Sequence, residues 1–401
     1  MSEWIDVSPK SLNLKETIYD VSFLDSDTAY AVGWSSARSI ILKTTNAGND
    51  WQLKEFTGYY FFSVEATFNQ ILIVGYSSRC MCGVLFFSID HGSSWNFYEF
   101  DGEKNPLTFG AMKVRKNFNN IFFITGFNGF VVYFDDDEEK WFYSNTNNTT
   151  DIFRDIKFID EFNCFSLAGK NSNVSDKIYY SSNAGKDWEV YTDFSEEQIL
   201  ISGFHFFTPY DGYIFGISQG QEAILKTSDK GKSWVRIYQG DIGNMLSDGL
   251  FLDDKLGFAA KRNGVILQTN DGGINWIPLQ SPTFKDLKGF RVHKQNEEPI
   301  AYAFGNDGTI LKFSKTTDVK QINSNLIIYP NPVNNYIKIE LNDQVSFNKA
   351  EIFNLLGEKV KIISELSEKK IINVENLPKG LYLLVLYGTY DSITIFKFQK
   401  N

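Results

Sequence analysis

The sequence predicts an all-β chain: a seven-bladed β-propeller closed by its N-terminal strand, followed by a small Ig-like β-sandwich. Three observations carry this. A turn string, Ser/Thr-x-Asp/Asn-x-Gly-x-x-Trp, recurs at near-constant spacing through the first three quarters of the 401 residues. Each copy follows apolar, β-branched or aromatic runs of strand length. After Lys320 the pattern stops, and a segment without Trp or Arg begins. Four strands per unit of about 40–50 residues is the propeller pattern.

The turn string ends at Trp51, Trp95, Trp188, Trp234 and Trp276. A worn copy, FDDDEEKW, ends at Trp141 with Glu138 in place of Gly. The Trp-to-Trp steps are 44, 46, 47, 46 and 42 residues. Within each turn Asn46, Asp90, Asn183, Asp229 or Asp271 is placed to accept backbone N–H groups of its own turn. Gly48, Gly92, Gly185, Gly231 and Gly273 are expected at positive φ, where a Cβ would be penalised. The Trp buries a large ring between neighbouring sheets. One carboxylate or amide per turn falls short of the roughly six to eight oxygens of a Ca²⁺ site, so no metal or cofactor is expected.

The units also hold an apolar run usually closing in Gly, at Gly33, Gly75, Gly126, Gly169, Gly216 and Gly305, with a further strand upstream of it. The seventh unit ends in FSKTTD without its Trp, while Trp4 in SEWIDVSP precedes the first unit. The N-terminal strand is therefore expected to complete the last blade. These turns resemble the Asp-box, or BNR, repeats of sialidases, sortilin-like receptors and some glycoside hydrolases. The full unit looks most like the photosystem II assembly/stability factor family of propellers. The resemblance covers residues 1–318 and implies the fold; a shared fold does not transfer a chemistry.

Residues 319–325 read as a polar linker and 326–401 as a β-sandwich, from YIKIEL, AEIFN, KIINV, YLLVL and ITIFKF. Pro330 and Pro332 favour an extended conformation before them. Four ordered motifs stand here: Tyr329-Pro330-Asn331-Pro332, Ile352-Phe353-Asn354 with Gly357, Leu377-Pro378-Lys379-Gly380-Leu381-Tyr382, and Lys397-Phe398. They resemble the type A C-terminal sorting domain of proteins exported by the Bacteroidetes type IX secretion system. The resemblance implies the type IX machinery as partner, and a product secreted or held at the outer-membrane surface with this domain usually removed. The first twenty residues lack the apolar core of a secretory signal. The sequence is accordingly read as a mature or trimmed chain with an added Met.

The formal net charge of −10 disfavours nucleic acid and anionic membrane surfaces as partners. No run of 18 apolar residues predicts a membrane span. Cys80 and Cys82, flanking Met81, are read as free or packed thiols, and His205 as a packed residue. No Ser/His/Asp order, phosphate loop or zincin helix appears, and no catalytic residue is nominated. Asp20, Glu65, Asp155 and Asp248 read as strand-end caps or solvated positions.

Arginine placement is more informative. Arg38, Arg79 and Arg262 fall in loops between strands two and three, and Arg154 and Arg291 near the starts of innermost strands. A propeller brings those positions to one face, where Trp34, Tyr60 and Tyr76 also belong. Arg beside aromatics is the composition of a binding surface. The expected function is a monomeric secreted or surface-displayed binding protein for an acidic glycan or protein ligand. The alternative is a secreted glycoside hydrolase or sialidase-like enzyme.

Overall fold

The computed structural model describes the chain apart from residues 1–2, 101–109, 136–139, 148–149, 171–173, 296–297, 315–326, 341–346, 355–358, 364–370 and 389–392. Two compact units are present, one of them Trp4–Ser314 and the other C-terminal. The centre of the worn turn copy, the linker and Gly357 lie outside the described residues. No helix among the described residues is long and apolar enough to cross a membrane.

The larger unit is a propeller of four-stranded sheets. The first sheet runs Thr17–Phe23, Thr28–Trp34, Ser39–Thr45, Gln52–Phe56, in that spatial order. The next five repeat the order from first strands Tyr59–Ala66, Ala111–Lys116, Ile152–Phe158, Ile199–Phe206 and Gly249–Phe251. The seventh takes Leu287–Gln295, Glu298–Gly305 and Ile310–Ser314, and its outer strand is Glu3–Asp6 from the start of the chain. Second strands such as Phe122–Gly126 are buried throughout, whereas outer strands such as Gln52–Phe56 alternate toward solvent. Leu14, Ile18 and Val21 at the first sheet share one apolar cluster with Tyr302, Phe304 and Ile310 of the seventh.

The Asp-box turns are built alike. Oδ1 of Asn46, Asp90, Asn183, Asp229 and Asp271 each accepts, at 2.9 Å, the N–H four residues ahead. The Ser or Thr two residues earlier accepts the Gly N–H, as Thr44 does from Gly48 at 2.9 Å. Gly48, Gly92, Gly185, Gly231 and Gly273 have φ between 82° and 89°. Trp188, Trp234 and Trp276 each donate Nε1–H to the carbonyl of their own turn glycine, at 2.8, 3.0 and 3.1 Å. Trp51 donates instead to Val7, and Trp95 and Trp141 pack against clusters of the second and third sheets.

A second repeat leaves no mark in the sequence of the first strands. Six of the seven first strands carry a β-bulge at one position, seating Tyr19, Phe62, Met112, Arg154, Ser202 and Lys288 outside the ladder. The bulge thrusts a carbonyl toward the partner strand, and this explains the recurring glycine. A Cβ on Gly33, Gly75, Gly126, Gly216 or Gly305 would lie 2.0–2.4 Å from a carbonyl oxygen two residues before the bulged one, in the first strand or just ahead of it.

Cys80 and Cys82 are joined in a disulfide, which corrects the free-thiol expectation. Met81 between them takes φ 54°, and this left-handed turn folds the loop tip until the two Cα atoms are 5.2 Å apart. Cys164 remains a free, buried thiol.

The C-terminal unit has two sheets, ordered Ile327–Tyr329, Tyr336–Glu340, Ile371–Asn373 and Lys359–Ile363, Phe347–Asn354, Gly380–Gly388, Ile393–Lys400. Ile337, Ile339 and Ile372 of the first meet Ile352, Leu384, Leu386 and Phe398 of the second in one core. The peptide bonds before Pro330 and Pro332 are cis. Gly380 opens its strand; Tyr382 stacks on Phe398 at 5.6 Å and donates to the Pro378 carbonyl at 2.9 Å. Asn331 Oδ1 accepts the Gln399 N–H at 2.9 Å, tying the first motif to the last strand.

Candidate functional site

Charged side chains concentrate where the first strands face one another. Asp20, fully buried, is the hub. Its Oδ2 meets Arg115 Nη1 at 2.8 Å and Ser63 Oγ at 2.5 Å, and its Oδ1 meets Arg291 Nε at 3.1 Å. Lys113 Nζ stands 3.8 Å from Oδ2. Arg291 also reaches Glu65 at 2.9 Å, so the network joins the first, second, third and seventh sheets. Arg115 Nη2 approaches Asp155 of the fourth sheet at 3.8 Å, and Lys157 donates to the Phe204 carbonyl of the fifth. Asp248 accepts N–H bonds from Gly249 and Phe290 at 2.8 and 2.9 Å. Asp20 and Glu65 are thus buried in ion pairs rather than solvated, while Asp155 and Asp248 are half-buried and Asp248 also caps the first residue of its strand.

Burial alone would raise the Asp20 carboxyl, but Arg115, Arg291 and Lys113 outweigh it and hold the group well below the usual carboxylate range. Asp155 is lowered in the same way, its burial overcome by Lys113, Arg115, Lys157 and Arg291. Asp248 goes the other way: burial raises it, despite Lys157 and the two N–H donors. Burial, with Lys157 adding to it, pushes His205 down to about 3, leaving a neutral imidazole. Five cations, Lys113, Arg115, Arg154, Lys157 and Arg291, thus face four carboxylates, one of them biased toward protonation. This cationic excess lies inside a chain of net charge −10.

Beside the network is a cavity of about 550 Å³, lined by Glu65, Arg115, Lys157, His205, Arg291 and the apolar groups Phe158, Phe206, Leu250 and Phe290. It opens at the turn Asn117–Asn120, between strands one and two of the third sheet. Asn117 is 4% exposed. Its Oδ1 accepts the N–H groups of Asn119 and Ile121, both at 2.9 Å, which fixes the amide's orientation. Its Nδ2 is buried with no hydrogen-bond partner.

The structure divides the sequence-nominated residues into groups. Trp34, Tyr60 and Tyr76 come together: Trp34 stacks on Tyr19 at 5.3 Å and meets Tyr60 edge-on at 4.9 Å, and Tyr60 lies 6.1 Å from Tyr76. Arg154 and Arg291 belong to channel strands, Arg291 within the ion network and Arg154 against Ser175 and the Ile201 carbonyl at 3.4 Å. Burial pushes Arg154 down to about 10, against Asp155 and Asp248. Arg38 is held by Glu16 at 2.9 Å and by Glu55, and Arg79 lies over the Tyr59 ring at 4.9 Å. Arg262 is exposed in its loop. Arg38 and Arg79 thus have partners in their own surroundings, distinct from those of Arg154 and Arg291. Arg115, Lys157 and Asn117 were not nominated; the available signal was charge at alternating positions of strands otherwise apolar, as in MKVRK and DIKFI.

Residues 327–397 match the secretion system C-terminal sorting domain. Among curated proteins none matches the sequence. Among solved structures, YCF48 from Cyanidioschyzon merolae aligns at TM-score 0.62 and 17% identity, over 78% of this chain and 98% of that one. A YCF48 bound to D1 peptide aligns at TM-score 0.60 and 15% identity, over 77% and 96%. PorZ of Porphyromonas gingivalis, a bacterial surface component of the type-IX secretion system, aligns at TM-score 0.58 and 10% identity, over 96% of this chain and 59% of PorZ. Identities this low establish fold alone. The chain therefore carries, at 327–397, a secretion system C-terminal sorting domain, which implies export to the cell surface or release, behind a propeller of the fold seen in YCF48 and PorZ.

Proposed function

We propose that the chain is a secreted or surface-displayed binding protein: a seven-bladed propeller over 1–318, closed by its N-terminal strand, whose central channel receives an acidic segment of a glycan or a protein. Residues 319–325 are the linker, and 326–401 form an Ig-like sandwich that serves export. The observation that carries the binding role is the cavity into which Arg115, Lys157 and Arg291 are gathered, with Asn117 in its wall. Trp34, Tyr60 and Tyr76 supply a stacking surface for the same kind of ligand. A YCF48 bound to D1 peptide is a precedent for a peptide on this fold. Binding is favoured over glycoside hydrolysis because Asp20, Glu65 and Asp155 are engaged by Arg115 and Arg291, and Asp248, the one carboxyl biased toward protonation, is tied to the Gly249 and Phe290 N–H groups.

Asn117→Asp tests the reading with little risk to the fold, because Asp25, Asp160 and Asp253 already cap the equivalent turns. The change sets a negative charge in the wall of the cavity, against an anionic ligand. On an array of acidic and neutral oligosaccharides and peptides, the full chain should prefer anionic members. The variant should lose at least about tenfold in affinity, or 1.4 kcal/mol, at an unchanged melting temperature. Equal binding by both proteins would remove the channel as the site.

The export role is tested in a type IX-competent host with a signal peptide supplied. Deleting 327–401 should leave the propeller in the periplasm by fractionation. Surface delivery at the level of the full chain would refute it.

A further inference from the structure

The turns joining first and second strands share a construction. Each opens on a short polar side chain that accepts backbone N–H groups further along the turn, as Asp160 does from Phe162 and Asn163 at 2.9 and 2.7 Å. Thr67, Asn117 and Thr208 act likewise. The turn needs nothing more from its sequence. Yet in four consecutive sheets, the second to the fifth, its tip carries an aromatic ring standing in solvent. Phe68, Phe118, Phe162 and Tyr210 are 68%, 58%, 62% and 59% exposed. The corresponding tips of the first and sixth sheets hold Ser26-Asp27 and Asp254-Lys255.

These rings contribute little to the core, and single exposed apolar residues call for no explanation. Four in the corresponding turns of adjacent repeats, one or two residues after the capping side chain, do, because they make an arc on one face of the propeller. The Asp-box turns flank it: Ala184 donates its N–H to the Phe162 carbonyl at 2.8 Å, and Lys230 to the Tyr210 carbonyl at 3.0 Å. Charge narrows the partner. Asp160, Glu161 and Asp211 stand in the same turns as the rings, and no Lys or Arg does. An anionic bilayer would be repelled by these carboxylates, and a second copy of the arc would set like charges together. Lys230, from the neighbouring turn, already lies 5.6 Å from the centre of the Tyr210 ring. That is the contact a foreign cation would make with the other rings.

We propose that this aromatic arc is a docking surface for a protein partner that presents apolar side chains together with Lys or Arg. The inference is independent of what the channel binds. Its test therefore leaves Phe118, which also lines the channel cavity, unchanged. The probe is a labelled peptide of alternating Leu and Lys, with a Leu/Glu peptide and phosphatidylglycerol vesicles beside it, titrated against the full chain. Phe68→Ser/Phe162→Ser/Tyr210→Ser should weaken Leu/Lys binding by about tenfold or more. Val235→Ser/Ile242→Ser, at outer-strand positions 65% and 81% exposed, should leave it unchanged. Should the triple variant fail to fold, Phe68→Ser and Phe162→Ser alone should each cost about two- to threefold. Equal loss in the outer-strand control, no loss in the ring variants, or equal binding of the Leu/Glu peptide would overturn the proposal. So would ring-dependent binding to vesicles or ring-dependent self-association.

Discussion

Trp4→Ala is expected to destabilise the propeller by about 3–5 kcal/mol, the range for removing a large aromatic from a packed core. Trp4 is 7% exposed on the strand Glu3–Asp6. Its ring lies 5.1 Å from Phe258 of the sixth sheet, and 5.8 and 5.3 Å from Phe290 and Phe313 of the seventh. Truncation therefore opens a void where two sheets meet and loosens the only strand covering the seventh sheet's outer edge. Trp4→Phe separates volume from polarity. The indole N–H is buried without a partner, so the smaller ring loses area but sheds an unsatisfied donor and should cost less than half as much. Denaturant unfolding of the full chain, read on the propeller transition, checks both. A Trp4→Ala midpoint equal to the parent's would refute a structural role for this strand.

Asp20→Ala should cost a comparable amount, about 3–5 kcal/mol, because it strands Arg115 and Arg291 inside the channel without their shared carboxylate. The pH dependence carries a sign. Asp20 and Asp155 have folded values below the unfolded one, so their contribution is complete above about pH 4 and fades as pH falls further. His205 is also depressed, to about 3, from an unfolded value near 6.5. The unfolded chain takes up that proton first, so stability declines as pH drops from 6.5 toward 3. The parent should therefore lose stability in two stages on acidification. His205→Phe should make the upper stage shallower, leaving the part due to His293, and Asp20→Asn should do the same to the lower stage, leaving the part due to Asp155 and the other lowered carboxylates. Melting temperatures measured from pH 8 to pH 3 resolve the stages; a single stage untouched by either substitution would contradict this account.

The turn string was legible because each of its residues has a local duty: a capping oxygen, a glycine at positive φ, a ring to bury. Such duties repeat with the chain and need no knowledge of distant partners. The glycines at 33, 75, 126, 216 and 305 were visible as a pattern, but their reason was not, since it lies in a bulge on a different strand. The arginines divided for the same cause. Loop position could be read, yet Arg38 turned out to be engaged by Glu16 and Glu55, while Arg115 looked like ordinary strand decoration. Only the arrangement of sheets puts Arg115 opposite Asp20, 95 residues away. Asn117 was harder still. Its significance is its place in the cavity wall, and that requires the folded chain.

The bulge shared by six first strands leaves Tyr19, Phe62, Met112, Arg154, Ser202 and Lys288 at equivalent places. A phenol, a phenyl, a thioether, a guanidinium, a hydroxyl and an amine thus occupy one backbone setting. A bulged residue stands outside the pairing ladder, so its identity is not what sets the register. The architecture thereby keeps a set of interchangeable positions apart from those that make it fold. Selection, or a designer, can rewrite those letters one at a time and obtain a new specificity from an unaltered scaffold.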